Sequence, residues 1–363
     1  MTSVAIVNGS GRFSGITLSV EPYATALRKA GMGVRWYQCV DRGIDPFSIG
    51  GGTVVSGAGL PIGSLEMGVN RLWRFPRALR RVPEDVVLVT DPTLLRVATA
   101  RTKNAVIVHD LLPLTPYADR VDSNLMFRYI LPKLRRMDLV IVPTRSLASE
   151  LVRRRVPSEA IRVVPQTHDL GTHPDHPARS LDRIARSGEV RVLFVGTDRP
   201  FKNVDFVLRL AQALQGASSA RRFMVTILSQ LRPNTVKRVS GLNLSNLKVV
   251  SFIPSISNLY EESDVLVHPS LHEGFGRPVM EAMAYGLPVF ANRIPSLAEV
   301  VGDTSVLLGV DSVEPWVSAL ESITDPAKYN ELAQRGLVRS RAFLPDQFQE
   351  AVARAFRERL LAA

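Results

Sequence analysis

The chain has 363 residues, 45% hydrophobic and 22% charged, which is long enough for two domains with large buried cores and excludes a disordered chain. No apolar run approaches the length of a membrane-spanning helix, and a single cysteine, Cys39, excludes an internal disulfide and points to a reducing compartment. The net charge of +11 is uneven: residues 1–180 carry 24 Lys and Arg against 15 Asp and Glu, and the remainder 21 against 19, so an anionic partner or an arginine-rich soluble surface is expected of the first half.

The opening MTSVAIVNGSG reads as a strand, Val4 to Asn8, without the basic segment and apolar core of a secretion signal. The loop Gly9-Ser-Gly-Arg-Phe-Ser-Gly15 leads to a helix whose apolar positions Val20, Tyr23, Ala24 and Leu27 repeat at helical spacing, and Val34 to Cys39 is the next strand. This opening fits an NAD(P)-dependent oxidoreductase with Asp41 as the ribose acid, but the glycine spacing is GxGxxxG where a dinucleotide fingerprint needs GxGxxG. Residues 42–65, glycine-rich and aperiodic, read as a long loop. From Arg71 to Arg81 arginines alternate with apolar residues, so that Leu72, Phe75, Leu79 and Val82 share a helix face. Such a helix either packs on a sheet with its arginines solvated, the preferred reading, or lies in a membrane interface.

Strands are expected at Val86 to Val89 and Ala105 to Val108, with His109-Asp110 directly after the second, where parallel sheets gather ligands. A helix over Leu125 to Leu134, a strand over Leu139 to Val142 and a solvated basic turn at Arg153-Arg154-Arg155 follow. The prolines, polar residues and histidines of 166–189 suit an interdomain linker, and the spacing of His168, His173 and His176 matches no helical zinc pair. Beyond it come a strand from Val190 to Val195, the loop Gly196-Thr-Asp-Arg-Pro-Phe-Lys-Asn203 with Lys202 as a phosphate candidate, and a helix from Val204 to Leu214. Strands at Phe223 to Leu228, Leu247 to Val250 and Val265 to Val267 and a last helix from Gln347 to Leu360 complete the alternation.

The most informative stretch runs from His268 to Glu299. After the buried strand, Gly274 and Gly276 open a turn, and Pro278 suits the first position of a helix with Met280, Met283 and Ala284 inward. A strand, a glycine loop and a helix start bring free amides and the positive end of a helix dipole together, an arrangement that holds a diphosphate. Glu273 and Glu281 flank the turn and can accept hydrogen bonds from sugar hydroxyls, whereas an isolated pair of this kind would be a charged loop and an exposed helix carboxylate.

The segment Glu273-Gly-Phe-Gly-Arg-Pro-Val-Met-Glu281, followed by AMAYGLPV, resembles the E-x7-E motif of retaining glycosyltransferases of family 4. The resemblance covers most of the chain from Ser14 onward. It implies a GT-B fold, α/β, with two Rossmann-like α/β/α domains facing across a cleft: residues 1–170, joined by a C-terminal helix over 345–363 that crosses back, as the acceptor domain, and 171–344 as the donor domain. It implies that Glu281 holds the ribose, Glu273 contacts the transferred sugar, the amides of Gly274, Phe275 and Gly276 face the diphosphate, and Gly15 lets donor phosphate or acceptor approach the backbone. VHDLLPL resembles the family's His-Asp-Leu segment, which gives His109 the donor sugar and leaves Asp110 to brace the loop. The Gly196 to Asn203 passage resembles the family's Gly…Arg-Lys-Asn loop; Lys202 is kept, Phe201 stands where arginine is common, and Arg199 is the candidate to supply the missing charge. Arg277 stands where the family more often has an apolar residue, so its role is open, and Phe252-Ile253-Pro254 lies where the family reads the base.

The activity implied is transfer of a hexosyl group, mannosyl where the donor is GDP-mannose, from a nucleotide-sugar of the GDP-mannose or UDP-glucose type to a glycan or lipid-linked acceptor. No metal or other cofactor and no nucleic acid is expected, and a cytoplasmic protein, peripheral on the anionic inner face of the plasma membrane, is. A catalytically silent nucleotide-sugar binder is the remaining alternative.

Overall fold

The computed structural model describes residues 2–9, 20–40, 53–56, 69–117, 131–216, 221–251, 253 and 255–361. Gly15 and most of its loop, Asp41, most of 42–65, the bulk of the 125–134 segment, Phe252 and Pro254 lie outside the described residues. The chain divides into two compact units, Met1–Thr167 with Pro345–Ala363, and His168–Leu344, against expected limits of 170 and 171.

In the first unit, β1 (Ser3–Asn8), β2 (Gly33–Val40), β3 (Thr53–Ser56), β4 (Val86–Val89), β5 (Lys103–Ile107), β6 (Leu139–Val142) and β7 (Ile161–Val163) form one sheet in the order β3-β2-β1-β4-β5-β6-β7. Every pairing is parallel. Parallel strands are covered on both faces, which is why these runs are apolar throughout rather than alternating. Ala5 and Val7 of β1 enter one core with Val87, Val89, Val106 and Val140, and Val4 and Ile6 enter the other with Leu88, Ile107 and Ile141. That second face is covered by helix Val20–Lys29 and by the C-terminal helix Pro345–Phe356, whose Phe348 meets Tyr23 edge-on at 4.9 Å. Val20, Tyr23, Ala24 and Leu27 are buried, and each large apolar side chain so placed contributes about 1.5–3 kcal/mol.

The second unit carries β8 (Glu189–Val195), β9 (Arg222–Leu228), β10 (Leu247–Val250), β11 (Val265–His268), β12 (Val289–Asn292) and β13 (Val306–Leu308), in the order β10-β9-β8-β11-β12-β13 and again parallel. Val192 and Phe194 point into one core, with Val265, Val267 and Phe290; Leu193 points into the other, with Leu266, Val279 and Met283. Both sheets and their helices are the two-domain α/β GT-B architecture.

Three expectations change. Part of the 42–65 segment is a strand: Thr53–Ser56 pairs with β2 at the sheet edge, too short and too exposed at Val54 to show a pattern in sequence. The face of 71–82 packs as expected at Phe75 and Leu79, with Val82 against them, but Asn70–Arg74 is a π-helical turn and Arg71 is buried rather than solvated. The linker is largely structured, because His176–Ser187 is a helix with Pro177 in its first turn and Gly188 in the left-handed conformation closing it. Proline and histidine signal a loop in sequence; here proline needs no N–H at a helix start. His168 and His176 are buried, and His168, His173 and His176 each direct Nε2 to a separate carbonyl, of Ser340, Leu170 and Glu261.

Burial lowers the pKa of His176 to about 4, against an ordinary value of 6.5, outweighing the hydrogen bond to Glu261. Below pH 6.5 the unfolded chain therefore binds a proton that the folded chain refuses until about pH 4. Stability falls as pH drops through that window, by on the order of 3 kcal/mol over its whole width. Urea denaturation followed from pH 7 to pH 4.5 is expected to show this loss, and a His176→Phe variant a flatter dependence; equal slopes would mean that the imidazole titrates normally.

Candidate functional site

In the second sheet the chain leaves β8 toward β9 on one side and leaves β11 toward β12 on the other, although β8 and β11 are neighbours. Loops that part in this way open a crevice at the carboxyl ends of the two strands, where α/β sheets bind ligands. The loops concerned are 196–203 and 269–276, the two that the sequence singles out.

The first loop turns at Gly196, where a Cβ atom would come within 2.9 Å of the Phe194 ring. Pro200–Lys202 makes one 3-10 turn, and Asn203 ends it with φ of 58°, a conformation that asparagine tolerates better than most residues. Asn203 Nδ2 donates to the Pro269 carbonyl at 3.2 Å, and the Leu271 amide donates to the Phe201 carbonyl at 2.7 Å, which join the first loop to the second. Asn292, at the end of β12, donates to the Ser270 carbonyl at 2.9 Å and supports the second loop from its other side.

Between the joined loops Lys202 Nζ lies 2.5 Å from Glu273 Oε1, and His268 Nε2 lies 2.8 Å from the same oxygen. The Lys202 and Glu273 side chains are only 14% and 10% exposed, so their mutual attraction is weakly screened. Burial pushes the Glu273 carboxyl up, but the Lys202 ammonium and the His268 hydrogen bond outweigh it and hold the group well below the usual carboxylate range. Glu273 is thus an anion that accepts hydrogen bonds and donates none. Its other oxygen, Oε2, takes no hydrogen bond among the described residues.

The glycine turn ends at Gly276, whose φ of 93° suits glycine alone and where a Cβ would come within 2.5 Å of Leu297 Cδ2. The helix that follows is Arg277–Ala284, so it starts one residue before Pro278, which takes its second position. The amides of Phe275 and Gly276 donate to no acceptor among the described residues and sit at the positive end of this helix. Glu281 falls in the second turn and is buried, 7% exposed, not displayed on the surface. Tyr260 Oη donates to its Oε2 at 2.8 Å, and Arg277, whose role the sequence left open, donates to its Oε1 at 3.1 Å as an ion pair one helical turn away.

The structure therefore brings Lys202, Glu273, Gly274, Phe275, Gly276 and Glu281 to the carboxyl ends of β8 and β11 in one unit. Arg199 is exposed at the start of the same 3-10 turn. His109 lies in the first unit, two residues beyond the end of β5 and half-buried, and Asp110 braces that loop by accepting the Leu112 amide at 2.9 Å. Sequence reasoning missed His268 and Tyr260 as members of the site. His268 carried a signal, a polar residue closing an all-apolar strand at its carboxyl end, the same one that drew notice to His109. Tyr260, 21 residues before its partner, carried none.

Comparison with known proteins bears on the family and the fold. Residues 189–325 match the family described as glycosyl transferases group 1, and residues 14–167 match the glycosyl transferase 4-like domain. A serotype-specific mannosyltransferase, WbdA, of Escherichia coli is 26% identical over 258 residues, 66% of this chain and 32% of the relative, so the chain spans about a third of the length of that protein. Among solved structures, a sucrose-phosphate synthase from Thermosynechococcus elongatus is similar over 100% of both chains, with a TM-score of 0.79 and 20% identity. Anabaena HepE in complex with UDP-glucose is similar over 98% of this chain and 99% of its own, with a TM-score of 0.75 and 16% identity. Two joined loops at a strand divergence, a buried glutamate at either end of an E-x7-E turn and family matches in both units lead to one assignment: the chain belongs to the group 1, family 4-like glycosyltransferases of GT-B fold.

Proposed function

We propose that this protein transfers a hexosyl group from a nucleotide-sugar to a glycan or lipid-linked acceptor, with retention of anomeric configuration. The observation that carries the reading is the joined pair of loops in which a lysine, two amides without an acceptor among the described residues and a helix start lie beside two buried carboxylates. Lys202, the amides of Phe275 and Gly276 and the helix dipole suit the diphosphate, on which charge grows as the glycosidic bond breaks. Glu273 suits the sugar hydroxyls and Glu281 the ribose, each keeping lone pairs beyond its present hydrogen bonds. In the reaction the bond from the anomeric carbon to the diphosphate oxygen breaks, the bond to the acceptor oxygen forms on the same face, and the acceptor proton passes to the departing phosphate. Glu273, already bonded to Lys202 and His268, is then a sugar-holding group rather than a covalent nucleophile. Arg199, Gly15 and His109 are proposed as further donor contacts, and no metal is assigned a role.

The mannosyltransferase relative and the VGTxxPxKN loop favour GDP-mannose as donor; UDP-glucose is the second reading, favoured by the similarity to HepE. We place the protein at the cytoplasmic face of the membrane as a peripheral enzyme. Among the described residues no helix is long and apolar enough to cross a membrane. The Phe75–Ala78 helix and its flanks instead present Trp73, 68% exposed, with Arg74, Arg77, Arg80 and Arg81 outward, while Phe75 and Leu79 face the core. An amphipathic indole beside four solvated guanidinium groups suits an anionic interface.

Calorimetry with GDP, UDP, ADP and NAD is expected to show binding of GDP or UDP, and Glu281→Ala is expected to weaken it at least tenfold, since a hydrogen bond to a charged group contributes roughly 1.5–3 kcal/mol. Binding of NAD alone, or unchanged affinity in a folded variant, would remove Glu281 and this reading. Co-sedimentation with vesicles should rise with anionic lipid, fall as salt is raised, and weaken when Trp73, Arg74, Arg77, Arg80 and Arg81 are replaced together. Equal behaviour toward neutral and anionic vesicles would leave these residues as ordinary surface.

A further inference from the structure

His268 ends β11 with a side chain that is fully buried, 0% exposed, yet polar. Its Nε2 lies 2.8 Å from Glu273 Oε1 and 3.2 Å from Ser270 Oγ, while Nδ1 is buried with no hydrogen-bond partner among the described residues. Because Glu273 is an anion, the proton of the imidazole must sit on Nε2, which leaves Nδ1 as a buried acceptor without a hydrogen-bond donor among the described residues. A residue retained there for packing alone would be better as phenylalanine or leucine, since an unpaired buried acceptor works against folding. The cost is tolerated for what the Nε2 proton does.

What it does follows from the competition for Glu273. Lys202 and His268 share the oxygen Oε1 and leave Oε2 without a hydrogen bond among the described residues. Lys202 reaches it on a flexible four-carbon stem, and on the proposed reading that ammonium is also the group drawn to the diphosphate. If lysine were the only restraint, its turn toward phosphate would release the carboxylate to rotate. His268, on a strand paired on both sides, does not move with the ligand. We propose that His268 is a positioning residue: its Nε2–H pins Oε1 of Glu273, so that Oε2 stays directed to the sugar hydroxyls while Lys202 serves the diphosphate. The proposal rests on the reading of this site as a nucleotide-sugar pocket.

The test compares wild type, His268→Phe and His268→Gln by three readouts: kcat and KM for release of nucleoside diphosphate from GDP-mannose or UDP-glucose, Kd for GDP or UDP, which lack the sugar, and Tm. His268→Phe is expected to lose at least tenfold in kcat, to bind the nucleoside diphosphate within about twofold of wild type, and to melt no lower. His268→Gln, whose amide can donate to the same oxygen, should regain most of the loss. Wild-type kcat in His268→Phe, or parallel losses of kcat, nucleotide affinity and Tm, would overturn the proposal and leave the histidine structural. Should His268→Phe not fold, His268→Gln is set against His268→Asn, whose shorter amide falls short of Glu273; equal kcat in the two would overturn it as well. A wild-type protein that binds neither GDP nor UDP would instead sink the nucleotide-sugar reading, and the proposal with it, an outcome visible before any variant is compared.

Discussion

A carboxylate that is nine-tenths buried persists as an anion only if positive charge and hydrogen-bond donors are built around it, and Glu273 is such a group. Its requirements explain much of the second unit. Lys202 must come from the loop after β8 and His268 from the end of β11, so those loops must be joined, and Asn203, Leu271 and Asn292 join them. Gly196 and Gly276 permit the turns that bring the two within reach, at positions where a Cβ would meet a neighbouring side chain. Removing the Lys202 ammonium would leave the Glu273 charge buried and uncompensated, which costs far more than the ion pair contributes as a unit.

The first unit shows what the same topology does with different residues. Its own divergence lies between β1 and β4, and there Arg71 forms a buried ion pair with Asp91 and donates to the Gly9 carbonyl at 2.9 Å, while Thr90 donates to Asn8 Oδ1 at 2.9 Å. Burial alone would raise the Asp91 pKa, but Arg71 and Thr93 lower it. The GxGxxxG glycine spacing weighs against a dinucleotide bound there in the manner of an oxidoreductase, and Asp41, the ribose acid of that reading, lies outside the described residues. The two units therefore share an architecture and differ in the groups held at their strand divergences.

Where the sequence was legible, local pattern was sufficient. Val86–Val89, Leu139–Val142 and Leu247–Val250 match their expected limits residue for residue, the first two because an all-apolar run opening after an aspartate is buried at every position. Thr53–Ser56 was missed because an edge strand takes its identity from the neighbour it pairs with, and His176–Ser187 because neutral buried histidine acts as an apolar residue that pattern reading counts as polar. In the site, the E-x7-E spacing and the lysine were legible one by one, yet nothing in the chain announces that Lys202 and Glu273, 71 residues apart, bond to each other. Nor could spacing show that Arg277 neutralises Glu281, or that Tyr260 holds its other oxygen. Pairings of this kind belong to tertiary structure.

The most direct measurement is a crystal structure of the protein with an intact nucleotide-sugar bound. The account predicts the diphosphate against the amides of Phe275 and Gly276 with Lys202 turned toward it, the ribose within hydrogen-bonding distance of Glu281, the sugar on Glu273 Oε2, and His268 still bonded to Oε1. Density for the nucleotide at the carboxyl ends of β1 and β4, beside Arg71 and Asp91, with the loops after β8 and β11 unoccupied, would contradict it.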